Sequence, residues 1–284
     1  MAKLLLIDGS NLLFQMFFGM PARIFGADGR AIQGVLGFVG ALLKIIRMVG
    51  PTHVLAVFDG EIENTRADLD KAYKANRPDL RTVPEEENPY SQLGDIYRAL
   101  DYLQIKRFET TDCEADDVIA SYALTFNDTE TVISSFDSDL FQLLSEHVSV
   151  LRYRGKNTVI YTPALFREKF GISPAQYADF KSLTGDTTDN IKGAEKVGKK
   201  TAAQLICKFG TLEAVLQNAR QIEKSSVRRS ITENAERLRL NYRLIKLDGT
   251  AKLPFALKDL RFEGSGFTLS LIHISEPTRR SYIS

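Results

Sequence analysis

Nine acidic side chains fall where they could act together: Asp8, Asp59, Glu114, Asp116, Asp117, Asp137, Asp139, Asp186 and Asp189. They stand in five short segments, IDGSN, VFDG, EADDVIA, FDSDL and GDTTDN. Three of these follow apolar runs of strand type: residues 4–7 run into Asp8, residues 53–58 into Asp59, and residues 131–135 lead to Asp137. In an open α/β sheet, functional groups gather at the carboxyl ends of strands. Carboxylates crowded there raise one another's pKa unless cations neutralise them. Two divalent ions roughly 3.5–4 Å apart relieve such crowding. Ions so held activate water and stabilise charge developing on a phosphoryl group, so no Ser, Cys or His nucleophile is required, and no Ser-His-Asp arrangement is visible.

Taken singly, each acid also suits a cap or a solvated loop. Glu114, Asp116 and Asp117 precede an apolar helical run, where the helix dipole favours acids by roughly 0.3–1 kcal/mol each. Asp137 and Asp139 are two apart and would face one side of an extended chain. Asp186 and Asp189 are three apart and would be neighbours on a helical turn, with N-capping as a competing duty. Caps alone do not explain nine acids whose strand ends bring like charges into one pocket.

Composition narrows the metal. Three histidines (His53, His147, His273) and two distant cysteines (Cys113, Cys207) speak against a histidine or cysteine site, and against a disulfide framework. Oxygen ligands point to magnesium or manganese. The 37 basic and 36 acidic residues leave a net charge of +1, so attraction to nucleic acid must come from local segregation of charge. The apolar run at residues 4–7 is too short for a signal peptide or a membrane span, and the expected location is the cytoplasm.

The positioning elements read as follows. Short buried strands alternate with helical patterns at residues 35–49, closed by Gly50-Pro51, and at 91–103. This predicts an α/β fold, a mostly parallel sheet with helices on both faces. Residues 61–89 are polar and carry Arg66, Lys71, Lys74, Arg77 and Arg81, which predicts a mobile, partly helical excursion. From about residue 162 the pattern is helical, with a Gly- and Lys-rich turn at 192–200. The expected division is an α/β part at 1–165, with the excursion at about 61–100, and a helical part at 166–262. A tail follows at 263–284, which from about residue 270 reads like translated adapter sequence and is left out of fold reasoning.

Across residues 3–260 the segments LLIDGSN, GFVGALL, VFDG, TRADLDKAYKANRP, EADDVIA, SFDSDLFQLL and GDTTDNIKGAEKVGKKTA occur in order. On these motifs the chain resembles the bacterial and phage 5′→3′ exonucleases, meaning the 5′-nuclease domain of DNA polymerase I and its free-standing relatives in the flap-endonuclease superfamily. The resemblance implies a PIN-like sheet, a helical arch, and a helical DNA-binding region with a helix-three-turn-helix at about 184–210. It implies two Mg2+ or Mn2+ ions, the first on Asp8, Asp59, Glu114 and Asp116, the second on Asp117, Asp137, Asp139, Asp186 and Asp189. Catalysis would centre on Asp8, Asp59, Asp116 and Lys74. Lys74 and Arg77 would stand at the arch base, Lys74 on the scissile phosphate, with Tyr73 stacking on a base and Arg66 matching a basic family position. Gly193 and Gly198 would shape the turn, with Lys196, Lys199, Lys200 and Thr201 on duplex phosphates and a monovalent cation such as K+ alongside.

The residues themselves are consistent with this. Cations on an arch attract a single strand, and a neighbouring aromatic offers a sequence-tolerant face. A glycine turn before a helix presents N–H groups to phosphate. Core packing explains Tyr73 equally well, a solvated helix face remains the alternative for Lys74 and Arg77, and an ordinary charged connection remains the alternative for the turn. Three departures from the family pattern stand out: Lys196 in place of glycine, Lys192 in place of proline, and Gln15 after Phe14 in place of arginine. The expected function is a structure-specific 5′→3′ exonuclease and 5′-flap endonuclease of DNA replication and repair. It would act as a monomer on 5′ flaps and nicked or branched duplex. No polymerase domain is evident, so a polymerase would act in trans. The competing readings are a catalytically weak structure-specific DNA-binding module and a PIN-type ribonuclease.

Overall fold

The computed structural model describes residues 2–27, 29–60, 65–77 and 80–264. The adapter-like stretch from 270 lies outside the described residues.

At the centre, β1 (Lys3–Asp8) lies parallel between β2 (His53–Phe58) and β4 (Glu130–Ser134). Its alternate residues enter different cores, as strand geometry requires. Leu4 and Leu6 pack with Leu55, Val57 and Ile133 on one face, while Leu5 and Ile7 pack with Val54, Ala56 and Val132 on the other. Burial on both faces is why the strand is an unbroken apolar run. With β3 (Lys106–Glu109), β5 (Val148–Arg152) and β6 (Val159–Tyr161), these form a six-stranded sheet in the order β3-β2-β1-β4-β5-β6, in which only β6 is antiparallel.

One face is covered by α1 (Gly9–Gly19), α2 (Gln33–Val49) and α4 (Leu93–Tyr102). The other is covered by α5 (Ala115–Thr125) and by the helices that follow the sheet. The helix expected over 91–103 begins instead with a 3-10 turn, Pro89–Gln92, because Asn88 accepts a hydrogen bond from the Tyr90 N–H and closes the chain early. In the excursion, α3 (Thr65–Leu69) and 3-10 turns at Leu80–Thr82 and Glu85–Glu87 are present, while residues 61–64 and 78–79 lie outside the described residues.

The register fixes the site. Asp8 pairs opposite Val57, and Ile7 opposite Ser134, so the chain leaves β1, β2 and β4 at one sheet edge. Asp8, Asp59 and Asp137 therefore emerge side by side.

Beyond the sheet stand α6 (Pro163–Phe170), α7 (Tyr177–Thr184), α8 (Lys199–Phe209), α9 (Leu212–Gln217), α10 (Ser225–Glu233) and α11 (Ala235–Ile245). Between α7 and α8 the GDTTDN segment is not the helical turn expected. It is a hairpin, β7 (Gly185–Asp186) against β8 (Ile191–Lys192), with a turn at 187–190. Glycine makes it possible: Gly185 has φ +76°, and a Cβ on Gly193 would lie 2.2 Å from the Thr184 carbonyl carbon.

Candidate metal centre

The first carboxylates are set by helix starts as much as by strand ends. Asp8 is the N-cap of α1, accepting from the Asn11 N–H at 3.0 Å, and Ser135 donates to its other oxygen at 2.7 Å. Asp59 reaches across to α5, accepting from the Ala115 N–H at 2.9 Å, and its own N–H donates to Ser10 Oγ. Glu114, at the N-cap position of α5, makes no capping bond with its side chain, which leaves it for other partners. Burial, then Asp59 and Asp137, push the Asp8 carboxyl up to about 7, while the bonds from Ser135 and Asn11 pull it down. Asp116 is raised well above the ordinary carboxylate range by burial and by Asp137, Asp8, Asp59 and Glu114. These groups share one field that is short of positive charge.

A second cluster sits beside it. Carboxylate oxygens of Asp139, Asp186 and Asp189 lie within 4.8 Å of one another. Asp137 and Asp139 are not in extended chain as anticipated. Asp137 accepts from the Asp139 N–H at 2.7 Å and starts the 3-10 turn Asp139–Leu143, which turns Asp139 inward. Burial, then Asp137 and Asp189, push Asp139 up to about 7 against the pull of Lys181. Burial would raise Asp186 too, but Lys181 and the Thr188 N–H more than offset it, and Asp186 lies below the ordinary range. Neither histidine nor cysteine enters either group, and this all-oxygen donor set suits a hard divalent cation. The Lys181 ammonium, paired with both Asp139 and Asp186, marks where positive charge is wanted.

Lys181 is a residue the motif reading passed over. It lies in an unbroken buried run, residues 177–183, where a helical lysine gives no periodic signal. Ser135, between two of the acids, was missed as well: it donates to Asp8 and accepts from the Asp137 N–H.

Several anticipated roles are redirected by geometry. The Asp117 carboxylate is taken by Arg66 at 2.6 Å and by the Asp248 N–H at 2.9 Å rather than joining the second cluster. Successive helical residues point about 100° apart, and Asp117 faces Arg66 and Asp248 while Asp116 faces Asp8, Asp59 and Asp137. Arg66, expected on DNA, is buried between Glu114 and Asp117. Tyr73, expected to stack on a base, has its ring packed with Ala178, Ile191, Leu244 and Ile245, and its hydroxyl 3.4 Å from Glu114. Gln15 donates to the Tyr153 carbonyl oxygen.

The segment at residues 72–77 is pinned to the acid-bearing loop. Lys74 (φ +56°) donates its N–H to the Asp189 carbonyl oxygen, and its ammonium lies 2.6 Å from Glu114. Arg77 pairs with the Asp189 carboxylate at 2.7 Å. Asn190 (φ +58°) donates to the Ala72 carbonyl oxygen, and Asn76 to that of Thr187. In the Gly/Lys turn, Lys196, Lys199 and Lys200 are exposed and Thr201 half-buried in the first turn of α8. Gly198 is the N-cap of α8 with negative φ, and the left-handed residue is Lys196 at φ +64°.

A family model described as 5′-3′ exonuclease, N-terminal resolvase-like domain, matches residues 3–171, and one described as 5′-3′ exonuclease, C-terminal SAM fold, matches residues 172–266. The chain belongs to the 5′-3′ exonuclease family. Among curated relatives, the thermostable DNA polymerase I of Thermus filiformis is 35% identical over 261 residues, 91% of this chain and 30% of that protein. DNA polymerase I of Rhizobium leguminosarum is 36% identical over 269 residues, 92% of this chain and 26% of that protein. The chain therefore spans less than a third of the length of these relatives. A solved structure of T5 5′-exonuclease with divalent metal ions (zinc) bound superposes with a TM-score of 0.72 at 22% identity, covering 87% of this chain and 90% of that one. The catalytic core of Rad2 in complex with DNA substrate gives 0.58 at 17% identity, covering 91% and 84%. The shared fold is a mostly parallel sheet with helices, followed by a helical C-terminal part. Among the described residues no helix is long and apolar enough to cross a membrane.

Proposed function

We propose that this chain hydrolyses DNA phosphodiester bonds as a structure-specific 5′→3′ exonuclease and 5′-flap endonuclease using two Mg2+ or Mn2+ ions. The observation that carries this is the meeting of two carboxylate groups at one sheet edge, with a pinned basic segment beside them. Asp8, Asp59, Asp116 and Asp137 would hold one ion, with Glu114 able to join once Lys74 leaves it. Asp139, Asp186 and Asp189 would hold the other. Bound there, divalent cations supply an activated water and neutralise charge on the phosphate. The chain's own residues do the rest. Ser135 and the Asn11 N–H hold Asp8 in one orientation, and the Ala115 N–H does the same for Asp59. Arg66 keeps Asp117 and Glu114 compensated. Lys74, whose backbone is fixed by the Asp189 carbonyl, is the residue proposed to meet the scissile phosphate, with Arg77 on the flap strand.

In this reading residues 1–165 form the nuclease part, with the arch at about 61–100, and residues 166–262 grip duplex DNA. Lys196, Lys199, Lys200 and Thr201 would contact its backbone from a helix-three-turn-helix that binds K+. The protein would work as a monomer in the cytoplasm, with a polymerase acting in trans. Support comes from the T5 and Rad2 neighbours, described with metal and with DNA substrate respectively. Product mapping on a 5′-flap, a nicked duplex and a gapped duplex in Mg2+ tests it. Cleavage at the flap junction is expected. Cleavage of single-stranded RNA in preference to all three would overturn it.

A further inference from the structure

Lys181 is the only lysine among the described residues that is fully buried, at 5% exposure. Its ammonium pairs with Asp139 and with Asp186 and lies 3.3 Å from Ser138 Oγ. Two of the three acids that converge within 4.8 Å are thus already engaged by one ammonium, and the third, Asp189, by Arg77. A buried ammonium is strongly unfavourable unless carboxylates compensate it, and crowded carboxylates are unfavourable without a cation. Each solves the problem of the other, so the cluster is held together without metal.

The same contact opposes metal binding. A divalent cation entering the triad must share carboxylates that Lys181 already holds by one oxygen each, and it meets a fixed positive charge nearby. Even with water-like screening, two charges ~4 Å apart repel appreciably, and a divalent ion doubles the effect. We infer that Lys181 is the resident counter-ion of the Asp139/Asp186/Asp189 position. It occupies that position in the metal-free protein and sets its divalent affinity low.

This rests on the metal reading of the triad, and one set of titrations separates the two. Mn2+ alone is titrated into the full chain and into Lys181→Met, Lys181→Gln and Asp139→Asn, with binding read by calorimetry and folding by thermal melts. Both Lys181 variants are expected to bind Mn2+ at least about tenfold more tightly and to gain more in melting temperature from Mn2+ than the wild type. The gain should vanish when Asp139→Asn is added. A variant that folds only with Mn2+ supports the same conclusion. Unchanged or weaker Mn2+ affinity in a folded Lys181 variant overturns the counter-ion role, as does failure of both variants to fold even in Mn2+. If wild-type Mn2+ binding is indifferent to Asp139→Asn, the metal reading of the triad itself is lost.

Discussion

Arg66 holds Glu114 and Asp117 at once, and none of the three side chains is more than 13% exposed. Arg66→Ala would leave Asp117 without its cation and Glu114 with Lys74 alone, and losing one partner of a buried ion pair costs about 3–5 kcal/mol. Urea unfolding should show a loss of that size, and a loss near zero would mean water already compensates the acids. Lys74 is argued differently. Its backbone is tied to the Asp189 carbonyl and its ammonium reaches Glu114. Lys74→Ala should therefore slow single-turnover cleavage by about 100-fold or more, the scale for removing one group that stabilises transition-state charge, with duplex affinity little changed. Equal loss of both would contradict the arch-base role. At this scale the sequence was readable where chain direction decides. Asp8, Asp59 and Asp137 follow strand ends, and parallel register brings them together. The pairings of Asp117, Tyr73 and Arg66 were not legible, because side-chain direction around a helix, and who pairs with whom, depends on partners as distant as Asp248. Lys181 escaped notice because a lysine in a short helix of mixed polar and apolar residues gives no sign that it is buried.

The hairpin between α7 and α8 shows what spacing could not give. Asp186 and Asp189 do come together, but across a β-turn whose shape depends on Gly185 and Gly193. A Cβ at position 193 would meet the Thr184 and Gly185 backbone, which cannot yield as a side chain would. Gly193→Ala is expected to destabilise by about 1–3 kcal/mol and to reduce cleavage by separating the acids, while far-UV circular dichroism stays near wild type. Full activity would show that the hairpin adapts. Lys196 offers the opposite change. An αL backbone strains a non-glycine residue by about 1–2 kcal/mol, more than the roughly 0.5–1 kcal/mol that glycine loses in chain entropy. Lys196→Gly should raise stability by up to about 1 kcal/mol and weaken duplex binding through the lost charge. That the residue at position 196 is left-handed was not legible in the sequence. The strands β3, β5 and β6 were unread: β3 and β6 lie at the sheet edges, where partial exposure removes the apolar run that betrays a central strand, and β5 breaks that run with Ser149 and Arg152.

For the molecule as a whole, the Asp8, Asp59, Asp116 and Asp137 group is a standing source of like-charge repulsion, and any cation that binds only the folded form stabilises it. Mg2+ at a hundredfold excess over its dissociation constant contributes about 2.7 kcal/mol per site, so chelation should lower the melting temperature measurably. The fold class was legible from alternating strand and helix patterns, because a central parallel sheet writes its burial directly into the sequence. The docking of residues 72–77 onto the 187–190 loop was not, since it depends on hydrogen bonds between segments over a hundred residues apart. The central claim is that these acids hold the cations that cut DNA. Cleavage of a 5′-flap DNA should be followed for the wild type and for Asp137→Asn combined with Asp139→Asn, in Mg2+ and after chelation, with flap binding measured in parallel. The account predicts cleavage by the wild type in Mg2+ only, and none by the double variant despite retained binding. Cleavage that survives chelation, or a double variant that still cuts at ordinary Mg2+, would contradict it.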